Sequence, residues 1–481
     1  MLTRDQAGDI FNRIRRLTSA DEVEVMFSGG RFALTRFANN TIHQNVAEEN
    51  SVLSVRTVFG GRTARASTNK FDDDSLRQVV KASENLAKVQ HPDSDLLPVP
   101  DAQEAAGWTP RLRSGQAGES PVPTRIIPSR YFERTASITP EQRAEGVKKV
   151  VSVAEKHKLT TAGIFSNAAS YEGIFNSRGL SEWHTQTLAE ISVTMLGEDS
   201  SGWQKANSPN VENLGPMILA ESAAKKAVDS ARPREIPAGK CTVILEPAAA
   251  LDIVGFMFWD YSGMAILDQR SFLTGRVGMK LFGDNITIWD DVGHPQQTGS
   301  PFDGEGMRRQ QVCLVEDGVV KRVVYARATA ERVKRSEYRD KVGPIEATGH
   351  GFPLPNEIGE TPLNIVFAAS DHFHANQPQT VTEMIASTER GVLVTRLWYI
   401  REVDPYEKIV TGMTRDGTFL IENGRVSGGL RNLRFNQSLI HMLSNVEAMS
   451  LPVRSSGEES FDMVVPAMKV RDFNFTEVTK F

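Results

Sequence analysis

Lys240 to Tyr261 reads KCTVILEPAAALDIVGFMFWDY, and the rest of the chain falls into place around it. Cys241 to Leu245 is a short apolar, β-branched run closed by Glu246-Pro247, the pattern of a buried strand stopped by a proline that cannot extend a ladder. Ala248 to Tyr261 then reads as a helix that is apolar on nearly every side, with only Asp252 and Asp260 charged. It is too short to span a bilayer and belongs inside a domain. A strand feeding a buried helix is where a zinc hydrolase places two histidines one turn apart beside a glutamate base. Here no histidine lies between His184 and His294, so a hydrolase scaffold of this kind would have lost its metal.

The chain has 481 residues, 40% hydrophobic and 24% charged, which fits two or three globular domains with ordinary cores. A net charge of −5 gives no electrostatic reason to bind nucleic acid or an anionic membrane surface. The two cysteines, Cys241 and Cys313, both sit in apolar strand-like runs, which favours packed thiols over a disulfide and hence a reducing compartment. The N-terminus alternates charged and apolar residues at helical spacing, without a signal-peptide core. No apolar run approaches membrane-spanning length, so a cytoplasmic protein with no membrane partner is expected.

From the N-terminus, Asp5 to Leu17 reads as an amphipathic helix. Val23–Ser28, Arg31–Phe37, Thr41–Glu48, Ser51–Thr57 and Arg62–Ser67 alternate as strands, with hairpin turns expected at Gly29-Gly30, Asn39-Asn40, Asn50 and Gly60-Gly61. Asp72 to Asp74 caps a helix reaching Val89, with Leu76, Val79, Val80 and Leu86 on its apolar face. Residues 92 to 138 are rich in proline and glycine and read as a linker. Thr139-Pro140-Glu141 opens the next helix, to about Lys158.

Sliding the sequence on itself by 138 positions aligns Ser28 with Ser166, Phe37 with Phe175, Leu53-Ser54-Val55 with Ile191-Ser192-Val193, Asn69 with Asn207, Leu76 with Leu214 and Ala82 with Ala220. A constant offset through strands and helix implies a duplicated strand-rich unit, hence two similar lobes. Beyond Gly239 the expected elements are a helix at Arg276–Phe282, strands at Ile286–Trp289, Gln311–Glu316 and Val319–Tyr325 joined by Asp317-Gly318, and strands at Asn364–Ala368, Gly391–Tyr399, Thr418–Ile421 and Met468–Phe475. Helices are expected at Val381–Glu389 and Asn436–Ser450. The fold class is therefore α+β: a unit at 1–91, a linker at 92–138, a repeat of the unit at 139–238, and a large mainly antiparallel β domain at 239–481.

Few residues outside the opening stretch suggest chemistry. Ser28 and Ser54 have no histidine near in sequence, which argues against a serine nucleophile. Gly349-His350-Gly351 lies in a loop, where the glycines read as backbone turn residues. Arg327, Arg332, Lys334, Arg335 and Arg339 are interleaved with acids, as on a solvated face or a subunit contact. Phe256, Phe258 and Trp259 lack a polar anchor in sequence and read as core rather than a cofactor site.

Six segments resemble the TldD/PmbA family, bacterial and archaeal proteins once called modulators of DNA gyrase. They are FANNTIHQNVAEENSVLSVRTVFGGRTARASTN (37–69), VILEPAAALDIVG (243–255), DDVGHPQQTGSPFDGEGMRRQQVCLVEDGVVKRVVYARATA (290–330), ATGHGFPLPN (347–356), ERGVLVTRLW (389–398) and FLIENGRV (419–426). The resemblance implies a heterodimeric zinc peptidase whose TldD subunit carries a His-Glu-x-x-x-His helix and a cysteine ligand near its C-terminus, while the PmbA (TldE) subunit carries neither. Counted from Pro247, the motif positions fall near Gly255, Phe256 and Asp260, and no cysteine follows Cys313.

The chain thus resembles the PmbA type, a non-catalytic subunit with no cofactor of its own. The zinc is expected in a TldD-like partner, and the pair is expected to act on extended peptides and unfolded proteins; without that partner a homodimer is the alternative. A metallopeptidase with a relocated site at His372 and His374, completed by Glu383 or His350, is a second reading, set against a plain polar turn. A gyrase- or DNA-associated regulator is a third, opposed by the acidic charge.

Overall fold

The computed structural model describes residues 1–106, 127–368 and 378–479. Helix α1 (Arg4–Leu17) begins at a capping box between Thr3 and Gln6 and buries Ala7, Ile10, Phe11 and Ile14, one stripe of a 3.6-residue period. Strands β1 (Glu22–Ala38) and β2 (Thr41–Phe59) form one long hairpin around Asn39 and Asn40, whose φ values of 49° and 58° make the turn. The other two breaks expected inside this hairpin are absent. Gly29 and Gly30 face Ser51 and Asn50 across a continuous ladder. A Cβ on Gly29 would stand 2.4 Å from the Asn50 carbonyl oxygen and 2.6 Å from the Tyr171 hydroxyl. These glycines allow neighbouring strands to approach; they do not turn the chain.

After the Gly60-Gly61 turn comes β3 (Arg62–Thr68), then α2 (Asp73–Val89), whose N-terminus is capped by Asp72 accepting from the Ser75 N–H at 2.9 Å. The buried face of α2 is Leu76, Val79, Val80, Ser83 and Ala87, whereas Leu86 is 46% exposed. Leu86 stands ten positions after Leu76, off the stripe that position 87 completes.

The set then recurs: α3 (Pro140–Lys156), β4 (Thr160–Asn176), β5 (Ser181–Leu196), β6 (Ser201–Ser208) and α4 (Pro216–Asp229). Strand β4 begins and ends 138 positions after β1. The two units are not separate lobes. They share one antiparallel sheet in the order β3-β2-β1-β4-β5-β6. Arg31 pairs with Ala169, its own counterpart in the repeat, so the halves meet about a pseudo-twofold axis at that pair. One face is covered by the four helices through two apolar clusters, one around Phe27, Leu53, Leu76 and Phe175 and the other around Val150, Phe165, Ile191 and Ala223.

The described flanks of the expected linker carry two one-turn helices, Ala102–Ala105 and Glu133–Ala136, and bury Val99 and Ala105. Their backbone is tied down, for example by the Thr187 N–H donating to the Arg130 carbonyl at 2.8 Å.

In the remainder, β7 (Gly239–Leu245) leads into α5 (Pro247–Val254). Strands β8 (Thr287–Asp290), β9 (Val312–Glu316), β10 (Val319–Val320), β11 (Ile365–Ala368), β12 (Arg390–Asp404), β13 (Ile409–Glu422), β14 (Arg425–Gly429), β15 (Leu433–Ser438), β16 (Val446–Met449), β17 (Val453–Ser455), β18 (Met463–Val465) and β19 (Met468–Val478) follow. One sheet runs β12-β7-β19-β15-β13, and β13 pairs back with β12, so these strands close into a barrel with β14 and β16 attached. The other runs β10-β9-β8-β11-β18-β17. Among the named strands of this region in the described residues only β7–β12 and β11–β18 pair in parallel, with isolated parallel bridges at Arg234–Leu430 and Ser262–Val324, so the region is mainly antiparallel. A single apolar core joins both sheets and the inner face of α5.

Four helices expected here are altered. Residues 276–282 form turns, because Gly275 and Gly278 take φ of 74° and 87°. Residues 436–450 divide into the end of β15, a helix at Leu439–Ser444, and β16. The helix expected over Ala248–Tyr261 stops at Val254 and tightens into a 3-10 helix, Gly255–Asp260. The second strand of the Asp317-Gly318 hairpin extends only to Val320. The helix after Thr380 ends at Ala386. Cys241 and Cys313 are free thiols in different sheets, pushed up by burial to about 11 and about 12. Among the described residues no helix is long and apolar enough to cross a membrane.

Candidate functional site

Strand β7 is held between β12 and β19, and the Glu246 N–H continues the ladder to the Val394 carbonyl at 3.0 Å before Pro247 starts α5. Within α5, Asp252 is fully buried, and its Oδ1 accepts the N–H groups of Glu458 and Glu459 at 3.0 Å each. Its Oδ2 has no hydrogen-bond partner among the described residues. Burial, opposed by those two N–H groups, pushes this carboxyl up to about 7.

The segment that Asp252 grips lies directly on the start of the 3-10 helix. A Cβ on Gly255 would stand 1.8 Å from Ser460 Oγ and 2.4 Å from Ser460 Cβ. Lys205, from β6 of the first sheet, props the same segment by donating to the Gly457 carbonyl at 3.1 Å.

At the other end of the 3-10 helix, Asp260 is buried and ion-paired to Lys408, whose ammonium also contacts Glu402. Asp260 Oδ1 accepts the Phe272 N–H at 3.2 Å. Burial raises the Asp260 pKa, against the pull of Lys408. Phe258 is core, as expected, but Phe256 is half-buried and Trp259 is 53% exposed, stacked on Phe352 at 6.3 Å. Phe256 and Trp259 line a cavity of about 580 Å³ that also contains Asp260, Glu402, Tyr406 and Lys408.

These residues do not fit a zinc ion. Gly255 has no ligand atom and no room for one, Phe256 has no base, and the Asp260 carboxylate is held by an ammonium. Among the described residues no three His, Cys, Asp or Glu side chains stand where they could share a metal.

His350 is buried between Thr348 Oγ1 at 3.0 Å and Asp290 Oδ1 at 2.9 Å. Asp290 Oδ2 accepts the N–H groups of Leu363 and Asn364 at 2.8 Å each. Burial alone would raise the Asp290 pKa, but His350, Arg309 and the N–H of Asn364 hold it below the usual range. The pair pins the 347–352 loop to β8, and Gly349, at φ 72°, passes so close to the Arg308 carbonyl that a Cβ would lie 2.2 Å from it. Glu383 is spent in a capping box with Thr380. His372 and His374 lie outside the described residues.

Ser28 is exposed on β1, and Ser54 accepts from Arg65 at 2.9 Å with no histidine bonded to it. The basic run is used in ion pairs: Arg327 with Glu104 and Glu305, Arg332 and Arg335 with Asp95, Lys334 with Glu331, and Arg339 with Asp340.

Sequence reasoning missed Lys408, Glu402 and Ser460. Asp252 gave a signal, a lone charge in an apolar helix, but Lys408 and Ser460 are brought in from distant segments with no local pattern to mark them.

Residues 238–477 match the family described as PmbA/TldA metallopeptidase C-terminal domain, and residues 23–87 match PmbA/TldA metallopeptidase domain 1. The metalloprotease PmbA of Escherichia coli O157:H7 is 20% identical over 461 residues, 93% of this chain and 91% of that protein. An uncharacterized protein of Methanocaldococcus jannaschii is 26% identical over 286 residues, 58% of this chain and 61% of that protein's length. The fold is similar to that of TldE from Thermococcus kodakarensis, with a TM-score of 0.80 at 18% identity, covering 98% of this chain and 99% of that one. It is equally similar to a Thermotoga maritima protein named for modulation of DNA gyrase, with a TM-score of 0.80 at 18% identity, covering 98% and 100%.

Proposed function

The chain belongs to the PmbA/TldD metallopeptidase family, and from that premise we propose that it is the non-catalytic, PmbA/TldE-type subunit of a TldD-like zinc peptidase acting on peptides and unfolded proteins. One observation carries the reading: at the end of α5, where the family resemblance puts the metal motif, the Gly255 position is closed by Ser460 and Asp260 is ion-paired to Lys408. The zinc and the general base belong, on this reading, to the partner subunit.

What this chain supplies is a wall and a strand edge. Closure of the barrel leaves no free edge on its five ring strands, whereas β3 ends the first sheet and can accept an extended peptide backbone. The unpaired thiols favour a cytoplasmic setting.

The experiment is elemental analysis and peptide hydrolysis on the purified, tag-free protein, alone and with a copurifying partner. The expected result is no stoichiometric zinc and no hydrolysis by the chain alone, with chelator-sensitive activity only in the complex. About one tightly held zinc per chain, with peptidase activity of the isolated protein that a chelator abolishes, would overturn the proposal.

A further inference from the structure

The cavity beside the 3-10 helix has a composition that a silent site does not require. Its aromatic walls come from two places: Phe256 and Trp259 from the 3-10 helix, and Tyr406 from the turn between β12 and β13. That turn is fixed, since Asp404 Oδ1 accepts the N–H groups of Tyr406 and Glu407 at 2.8 and 2.9 Å. The Tyr406 hydroxyl donates to the Gln269 carbonyl at 3.0 Å, and Arg276 donates to the Tyr406 carbonyl at 3.1 Å. The rings are therefore held in place, yet Trp259 and Tyr406 remain 53% and 52% exposed.

The cavity is lined by two carboxylates, Asp260 and Glu402, and two cations, Lys408 and Arg270, and their pairing decides what faces the open side. Lys408 serves two carboxylates, Asp260 and Glu402, which leaves one negative charge over. The Glu402 side chain is 35% exposed on the open side, while Asp260 and Lys408 lie beneath it at 7% and 5%. The guanidinium that also lines the cavity, Arg270, is paired with Asp268 at 2.8 Å, and Arg276 on the same turn faces Glu407 at 3.5 Å. A pocket with exposed aromatic faces and a residual carboxylate charge suits an organic cation on an apolar stem.

We propose that this cavity takes the basic side chain of an extended peptide, its methylene stem lying against Trp259 and Tyr406 and its cationic head on Glu402. The inference rests on the peptide-handling reading above and adds a side-chain preference to it. The aromatic residues that sequence alone assigned to the core here acquire their polar anchor, from residues nearly 150 positions further along the chain.

The test measures binding of three blocked, dye-labelled pentapeptides, identical except for lysine, norleucine or glutamate at the centre, by fluorescence anisotropy on the full chain. The lysine peptide is expected to bind about five-fold more tightly than the norleucine peptide, and the glutamate peptide more weakly than both. Glu402→Gln should bring the lysine peptide down to the norleucine level, and Trp259→Ala should weaken both, in variants whose unfolding midpoints match the wild type. Equal binding of lysine and norleucine, indifference to Glu402→Gln, or no binding of any peptide would each overturn the inference. None of these outcomes touches the metal and hydrolysis test, so failure here is distinguishable from failure of the subunit assignment.

Discussion

Asp252 shows how much one buried carboxyl can carry. Its folded pKa, about 7, stands above the ordinary aspartate value near 4. Between those two values the folded protein keeps a proton that the unfolded chain has released, so this group makes stability fall as pH rises from about 4 to about 7. Asp252→Asn keeps an acceptor for the Glu458 and Glu459 N–H groups and removes the titration. The variant is expected to gain about 2 kcal/mol on wild type between pH 5 and pH 8, read from urea unfolding at both pH values. Lys408 is a second case. Lys408→Met leaves Asp260 buried and uncompensated and is expected to cost about 3 kcal/mol, most of it recovered when Asp260→Asn is added. Recovery of less than a third would mean that the cost is packing and not charge.

At the scale of elements, the contrast between Leu76 and Leu86 separates hydrophobic identity from position. Both look like core in the sequence, but Leu76 is fully buried in α2 and Leu86 is 46% exposed. Leu76→Ala is expected to cost about 3 kcal/mol and Leu86→Ala less than about 1 kcal/mol, measured as shifts in denaturation midpoint at unchanged slope. The β1–β2 ladder gives the complementary case. Gly29→Ala places a methyl against the Asn50 carbonyl and the Tyr171 hydroxyl and is expected to destabilise by about 2 kcal/mol, measured as a shift in denaturation midpoint at unchanged slope.

At the scale of the molecule, buried polar groups hold the first sheet to the rest. Glu24 on β1 is buried with Arg56 at 2.9 Å and Arg65 at 2.6 Å, and Arg65 reaches across to the Leu354 carbonyl at 2.7 Å. Burial works to raise the Glu24 pKa, but the two guanidiniums outweigh it and the net shift is downward. A depressed carboxyl pKa contributes stability that is present above the unfolded value and lost as pH falls through the folded one. Glu24→Gln is expected to cost about 3 kcal/mol at pH 7, with the gap to wild type closing below about pH 4. An undiminished gap at pH 3 would assign the loss to shape and not to the ion pairs.

Local pattern was enough to read the duplicated unit, the helix starts at Asp72 and Thr139, the Asn39-Asn40 and Asp317-Gly318 turns and the absence of histidine from the opening stretch. Each depends on residues within a turn or two of one another, or on a repeat visible along the chain. The continuity of β1 through Gly29-Gly30 was not legible, because a glycine for close approach and a glycine for a turn look alike until the neighbouring strand is known. The tightening of α5 at Gly255 was hidden for the same reason, since Ser460 arrives from about 200 residues away. Sequence alone determined that the stretch from Lys240 to Tyr261 carries no histidine. Only the tertiary structure decided what stands there instead, a serine against a glycine, a lysine between two carboxylates and an aromatic cavity, because those contacts are made between segments about 140 to 200 residues apart that meet only when the two sheets pack around α5.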